Sequence, residues 1–240
     1  LIGDLIKALN LHALMDNTWI ILWSDHGWHL GEKSHWGKAT GWYRSTRVPF
    51  LIVPPQTDVQ FENDVRIKNT VNLLDLAPTM ADMAGIPKNT QWEGRSLMPI
   101  LKKQAMDWEE VSITTFSIGS HSISTPHWQL ISYFDGSFEL YDLINDPGQF
   151  ENLAKQDSNA HLINHLKKHI PEERHWSYFI RHGDYKILVP KKGDIQVYDQ
   201  MLEGRNDEDI AAEVPNLVKK IMKYIEVNKP QHKKFTIDLL

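Results

Sequence analysis

Apolar residues at positions 2, 5, 6 and 9 recur at helical spacing, so the chain predicts a first helix, ending near Asp16 and Asn17. Thr18 to Trp23 then runs apolar, β-branched and aromatic, which predicts a buried strand over 18–24. A polar stretch from Asp25 to about Arg47 reads as a loop. Val48 to Val53 forms a second apolar run, stopped by Pro54 and Pro55, which lack the backbone N–H a strand needs. Asp75 is placed to cap a helix with Pro78 in its first turn, and Gly85 with Pro87 ends it. Up to about residue 105 these elements predict a sheet-and-helix core. Its polar loop follows a strand directly, where open α/β sheets carry their ligand sites.

Beyond about residue 110 the pattern changes to short strands and turns, and it occurs twice. His127 to Asp142 aligns without gaps on Asp184 to Asp199, at a shift of 57 residues (185 minus 128). Trp128 falls on Tyr185, Gly136 on Gly193, and Tyr141-Asp142 on Tyr198-Asp199. Each copy predicts a β-hairpin followed by a helix, at roughly 160–169 and 215–227, and the pair predicts small antiparallel sheets packed with helices. The expected division is a core over 1–108, a hairpin-helix subdomain over 109–170 and a repeat-like hairpin-helix segment over 171–240.

Composition sets bounds. The formal charge is −5, with no long single-sign run, which gives no support to a nucleic-acid partner or a polybasic membrane contact. No apolar stretch approaches membrane-spanning length. There is no cysteine, which excludes disulfides and zinc-thiolate sites within these residues. Nine tryptophans are present; most read as packing residues, while Trp28, Trp36 and Trp42 lie within the polar loop and offer ring faces for stacking on a ligand.

The chemistry concentrates in Ser24-Asp25-His26-Gly27-Trp28-His29-Leu30-Gly31-Glu32-Lys33, followed by Trp36-Gly37-Lys38. Asp25 offers an oxygen ligand and His26 an imidazole beside it. Consecutive strand side chains point to opposite faces, so both reach one metal only where the chain turns, and Gly27 makes a turn inexpensive. By ligand softness alone, aspartate with histidine suits zinc or manganese. Lys38 adds a cation able to hold an anion beside a metal. His29 is a candidate for protonating a leaving oxygen or lining the pocket, Glu32 and Lys33 for anchoring the loop, and Arg44 for binding an acidic group of a ligand.

These residues carry a resemblance. The run from Ser24 to Lys38, then Arg47-Val48-Pro49-Phe50-Leu51-Ile52, resembles the carboxyl-terminal half of a type I, formylglycine-dependent sulfatase, in particular the iduronate-2-sulfatase and choline-sulfatase group. The likeness continues in order through Leu74-Asp75-Leu76-Ala77-Pro78-Thr79, Glu93-Gly94-Arg95-Ser96-Leu97 and Glu139-Leu140-Tyr141-Asp142. It implies an α/β fold: the carboxyl-terminal part of an alkaline-phosphatase-like sulfatase core, followed by a small antiparallel α+β subdomain. It implies Ca2+ held in part by Asp25 and His26, sulfate contact by Lys38, and a sulfated sugar or polysaccharide as substrate. It further implies a formylglycine nucleophile made from a cysteine that this chain lacks, hence expected in an amino-terminal half of the same enzyme. A periplasmic, secreted or lysosomal setting goes with the family. His121 stands near where the group carries a histidine in a Gly-x-His-x-x-Arg setting; Gly119 and His121 are kept, but Ser124 replaces the arginine. His121 is therefore open between a substrate contact and an ordinary surface histidine.

Three functions follow as expectations. The first is a sulfuric ester hydrolase acting on a sulfated carbohydrate. The second is a phosphatase, phosphodiesterase or phosphonate monoester hydrolase of the same superfamily. The third is a noncatalytic binding protein derived from a sulfatase.

Overall fold

A computed structural model describes residues 1–61, 64–103, 108, 110–117, 119–171, 176–190, 192–201, 208–228, 230 and 234–236. Its contacts divide the chain into two compact units. The first is Leu1–Thr114, Ser124–Gln129 and Asp142–Phe150; the second is Thr115–Ile123, Leu130–Tyr141 and Glu151–Leu240.

The first helix, α1, spans Ile2–Leu11, shorter than its apolar spacing predicts. Ala13 takes φ 53°, Ala13 N–H donates to Asn10 O and Leu14 N–H to Leu9 O. That pair of bonds is a left-handed helix stop, and it closes the ladder before Asp16. No residue of α1 is buried.

Strand β1, Ile20–Trp23, pairs antiparallel with β4, Phe50–Val53, from Ile20 opposite Val53 to Trp23 opposite Phe50. Both runs form strands as expected, but burial does not follow. Leu22, Trp23 and Leu51 are 40%, 45% and 52% exposed. Near-continuous apolar strands suit sheets covered on both faces, yet among the described residues this sheet has two strands. Between them lie the hairpin strands β2, His29–Leu30, and β3, Trp36–Gly37, then the short helix α2, Tyr43–Thr46.

Helix α3, Leu76–Met83, begins where Asp75 predicts, but Asp75 makes no N-cap bond from its side chain. It is buried and reaches backward instead. One carboxylate oxygen accepts from Asn72 N at 2.9 Å, closing a capping box on the preceding turn, and the other accepts from Arg95 N at 3.0 Å. The Thr79 hydroxyl donates to Asp75 O and accepts from Leu97 N, so α3 is stitched to the segment leading into α4, Met98–Leu101. Gly85, at φ 66°, ends α3 as expected.

The loop over 25–47 is anchored within the first unit by two buried glutamines. Gln149 Oε1 accepts from Tyr43 N at 2.7 Å, and Gln149 O accepts from Lys33 Nζ at 2.5 Å. The Gln149 amide donates to Gln129 Oε1, and Gln129 Nε2 donates to Thr46 Oγ1 and Ser124 Oγ. Buried amides bonded at both ends hold a polar loop to one geometry, because each lost bond leaves an unpaired group at a cost of about 1–3 kcal/mol.

Strands β5 (Ser112–Ser117), β6 (Ser120–Ser124), β7 (Trp128–Ser132) and β8 (Phe138–Asp142) form one sheet in that order. A second sheet has the order β11-β10-β9-β12, from β9 (Trp176–His182), β10 (Tyr185–Pro190), β11 (Gln196–Asp199) and β12 (Lys234–Thr236). Here β9, β10 and β11 run antiparallel and β12 lies parallel on β9. The hairpins β7–β8 and β10–β11 turn through Gly136 and Gly193, both at positive φ. Helices α5, Ala160–Lys167, and α6, Pro215–Asn228, follow them close to the expected positions. Ile180, Ile187, Val197 and Ile221 form the centre of the second hairpin's core.

Candidate functional site

β1 ends at Trp23, and Asp25 and His26 lie in the turn beyond it. The geometric requirement for two consecutive ligands is thus met by leaving the strand. The His26 ring sets the chemistry. Its Nδ1 is 2.8 Å from Gly27 O. A carbonyl accepts and never donates, so in the neutral ring Nδ1 carries the proton and Nε2 keeps its lone pair. Lys38 Nζ stands 2.8 Å from that Nε2, and Asp25 Oδ2 is 3.3 Å from it. Asp25 Oδ1 accepts from His26 N at 3.0 Å, and Ser24 Oγ donates to His26 O at 2.7 Å. A carboxylate, an imidazole lone pair and an ammonium therefore converge on one exposed spot.

Gly27 holds this turn for a reason the sequence does not show. Its φ lies outside the left-handed region, so conformational freedom is not the point. A Cβ there would sit 1.9 Å from Arg44 O, and Gly27 N donates to Ser45 O at 2.8 Å. The turn is pressed against α2, and only a residue without a side chain fits.

The neighbouring residues divide into anchors and exposed faces. Glu32 accepts from Leu30 N at 2.7 Å and pairs with Arg44 Nε at 3.3 Å. Lys33, besides its bond to Gln149, lies over the Trp42 ring at 5.2 Å. Glu32 and Lys33 thus anchor the loop, and Arg44 is exposed at its edge. Trp28 is 53% exposed with its ring 6.0 Å from that of His26, and Trp36 is 72% exposed on β3. His29 is fully buried, with Nε2 2.9 Å from Thr40 Oγ1 and Nδ1 3.2 Å from Glu32 O. It sits inside the loop, and both ring nitrogens are engaged there.

Burial pushes the His29 pKa below the ordinary histidine value of 6.5, against the upward pull of its bond to the Glu32 carbonyl; the His35 ring adds to the lowering. A histidine held neutral in the fold contributes stability that is complete above its unfolded pKa and is lost as pH falls through the lower folded one. Thermal melts from pH 7.5 to 5 are therefore expected to fall more steeply for the wild type than for His29→Gln. Parallel pH profiles would contradict this.

His121 is buried at 2% exposure in the second unit, with Nδ1 3.0 Å from Thr115 Oγ1. The surface-histidine reading is corrected: β6 is buried along most of its length. What the sequence does not reveal is the Gln129–Gln149 pair and Thr40. Gln149 and Thr40 stand in loops, which carry no periodic signal, Gln129 is a single polar residue in β7, and the partners stand 20 and 11 residues apart.

Among the described residues no group of three or more His, Cys, Asp or Glu side chains converges on a possible metal position. Asp25 and His26 together fit part of a coordination shell: an exposed carboxylate oxygen, plus an imidazole nitrogen whose proton is fixed on the far side by a backbone carbonyl, as metal-ligating histidines usually are; Lys38 Nζ lies on that Nε2 lone pair and has to turn away before the nitrogen can ligate.

Residues 31–176 match the family described as N-sulphoglucosamine sulphohydrolase, C-terminal. Among curated proteins the chain is 30% identical over 169 residues to arylsulfatase K of Homo sapiens, covering 64% of this chain and 31% of that protein. It is 29% identical over 171 residues to a sulfatase of Formosa agariphila, covering 71% and 33%. The chain thus spans about a third of the length of these curated relatives. Among solved structures, BT4656 in complex with its substrate D-glucosamine-2-N,6-O-disulfate superposes with a TM-score of 0.56 at 25% identity, over 72% of this chain and 39% of that one. The phosphonate monoester hydrolase SpPMH of Silicibacter pomeroyi shares the fold, with a TM-score of 0.61 at 24% identity over 70% and 36%.

Proposed function

Because the chain belongs to the N-sulphoglucosamine sulphohydrolase C-terminal family, we propose that it forms the part of a sulfuric ester hydrolase that grips the sulfate of a sulfated carbohydrate. The observation that carries this reading is the convergence of Asp25 Oδ2, His26 Nε2 and Lys38 Nζ, with the His26 tautomer set by Gly27 O. Asp25 and His26 are the residues that would hold a divalent cation, Ca2+ by the family resemblance. Bound there, the cation would supply electrostatic stabilisation of charge developing on sulfate oxygens.

The chain's own residues do the rest. Lys38 carries a compact ammonium on an exposed stem, suited to donating to a sulfate oxygen. Trp28 offers an exposed indole face beside His26 for stacking on a sugar ring. Arg44 is a candidate contact for an acidic group at the loop's edge. His29 we assign to holding the loop, since its burial and two internal bonds place it there.

The nucleophile, a formylglycine by resemblance, and the remaining metal ligands would come from an amino-terminal portion of the same enzyme. Two facts support such a partner: the chain matches only about a third of the length of these relatives, and α1, β1 and β4 leave apolar side chains exposed. The fold shared with SpPMH keeps a phosphonate monoester hydrolase as the second reading.

Turnover assays test the proposal. The complete protein is expected to hydrolyse a sulfated glucosamine disaccharide faster than an aryl phosphonate monoester, and the 240-residue chain alone is expected to hydrolyse neither. Efficient turnover by the chain alone would contradict the divided site. Preference of the complete protein for the phosphonate would move it to the second reading, and no turnover of either would contradict both.

A further inference from the structure

The two repeats use one position differently. At the shift of 57 residues Gln129 corresponds to Lys186 (129 plus 57). Each side chain docks its hairpin onto a preceding hydroxyl: Gln129 Nε2 donates to Thr46 Oγ1, and Lys186 Nζ donates to Ser117 Oγ at 2.9 Å. The glutamine is neutral and bonded at both ends, so docking does not require a charge. The lysine brings one. Its Nζ lies 5.3 Å from the Phe134 ring centroid and 5.9 Å from that of Tyr198. Among the described residues no carboxylate pairs with it. Burial pushes its pKa below the ordinary lysine value, and no neighbouring charge offsets this.

An ammonium has three N–H donors, and one is used by Ser117. Two aromatic faces offset part of the desolvation, but a half-buried cation still lacks a counter-charge. We propose that Lys186 and Ser117 form an accessory oxyanion site at the junction of the two repeats, taking a sulfate or carboxylate group of an acidic oligosaccharide. Lys186 supplies the charge and the Ser117 hydroxyl a second donor, while Phe134 and Tyr198 keep the ammonium from wandering. The second repeat then has a purpose that the first, with glutamine at the same place, does not serve. The choice of an acidic saccharide rests on the proposed sulfatase function; the oxyanion chemistry does not.

The test measures binding and turnover separately on the complete protein. A sulfated tetrasaccharide of uronate and glucosamine, and its desulfated counterpart, are titrated calorimetrically into the wild type, Lys186→Met, Lys186→Arg and Ser117→Ala. A charge-assisted hydrogen bond is worth about 1.5–3 kcal/mol, so Lys186→Met is expected to weaken binding about tenfold or more. Lys186→Arg should restore part of it, and Ser117→Ala should lose less. If the drop occurs for the sulfated sugar alone, the group held is sulfate; if for both, it is carboxylate. Unchanged affinity in Lys186→Met and Ser117→Ala, or no binding to the wild type, would overturn the proposal. Hydrolysis of a small aryl sulfate is followed in parallel and should be unaffected by Lys186→Met. Absence of that hydrolysis in the wild type would count against the sulfatase reading and leave the binding result to stand by itself.

Discussion

Replacing Gly27 by alanine is expected to destabilise the protein by more than about 3 kcal/mol and to abolish the sulfatase activity proposed for the complete protein. The new methyl would sit 1.9 Å from Arg44 O and 2.9 Å from both Arg44 C and Arg47 O. Ordinary carbon–oxygen contact needs well over 3 Å, and the obstructing atoms are backbone, which cannot rotate away. Overpacking a core usually costs about 1–3 kcal/mol because side chains give way; here α2 or the Asp25–His26 turn must move bodily. The bond from Gly27 N to Ser45 O is lost with that movement. Denaturant unfolding measures the stability loss. Gly3→Ala is the control, since nothing lies within 4 Å of its added Cβ, and in an exposed helix alanine is favoured over glycine by about 0.5–1 kcal/mol. A Gly27→Ala protein that unfolds like the wild type would show that the turn is not pressed against α2.

Replacing Lys38 by alanine is expected to lower kcat by about 10²–10³-fold, the usual loss when one donor to a developing oxyanion is removed. The side chain is exposed and bonds His26 Nε2 and no backbone group, so stability should change by no more than about 0.5 kcal/mol. Activity and folding are thereby separated. Lys38→Arg should recover part of kcat, because it keeps the charge but changes the donor geometry. Full activity in Lys38→Ala would remove the residue from the site.

The sequence makes much of this legible, for reasons that differ by residue. Asp25, His26 and Lys38 are readable because they follow an apolar strand in an ordered series of motifs, and the structure brings all three within hydrogen-bonding range. The repeat is readable because hairpins signal themselves through Gly136, Gly193 and paired Tyr-Asp steps. Gly27 is visible as a glycine, but its cause, close approach of α2, depends on residues 17 and more positions later. Asp75 reads as a cap for α3, yet its carboxylate serves Asn72 and Arg95 because burial rewards bonding every available backbone donor. The exposure of β1 and β4 cannot be anticipated from the sequence. Apolar strand patterns announce that burial is needed, but not what provides it.

The most direct test of the central claim is Ca2+ binding by the complete protein, measured calorimetrically for the wild type, Asp25→Ala and His26→Ala. Loss of partners that merely orient ligands costs about 10–100-fold in metal affinity, so loss of a ligand should cost at least that much in each variant. That result would identify Asp25 and His26 as the metal-holding residues that this chain contributes. Calcium affinity unchanged in both variants would contradict the account.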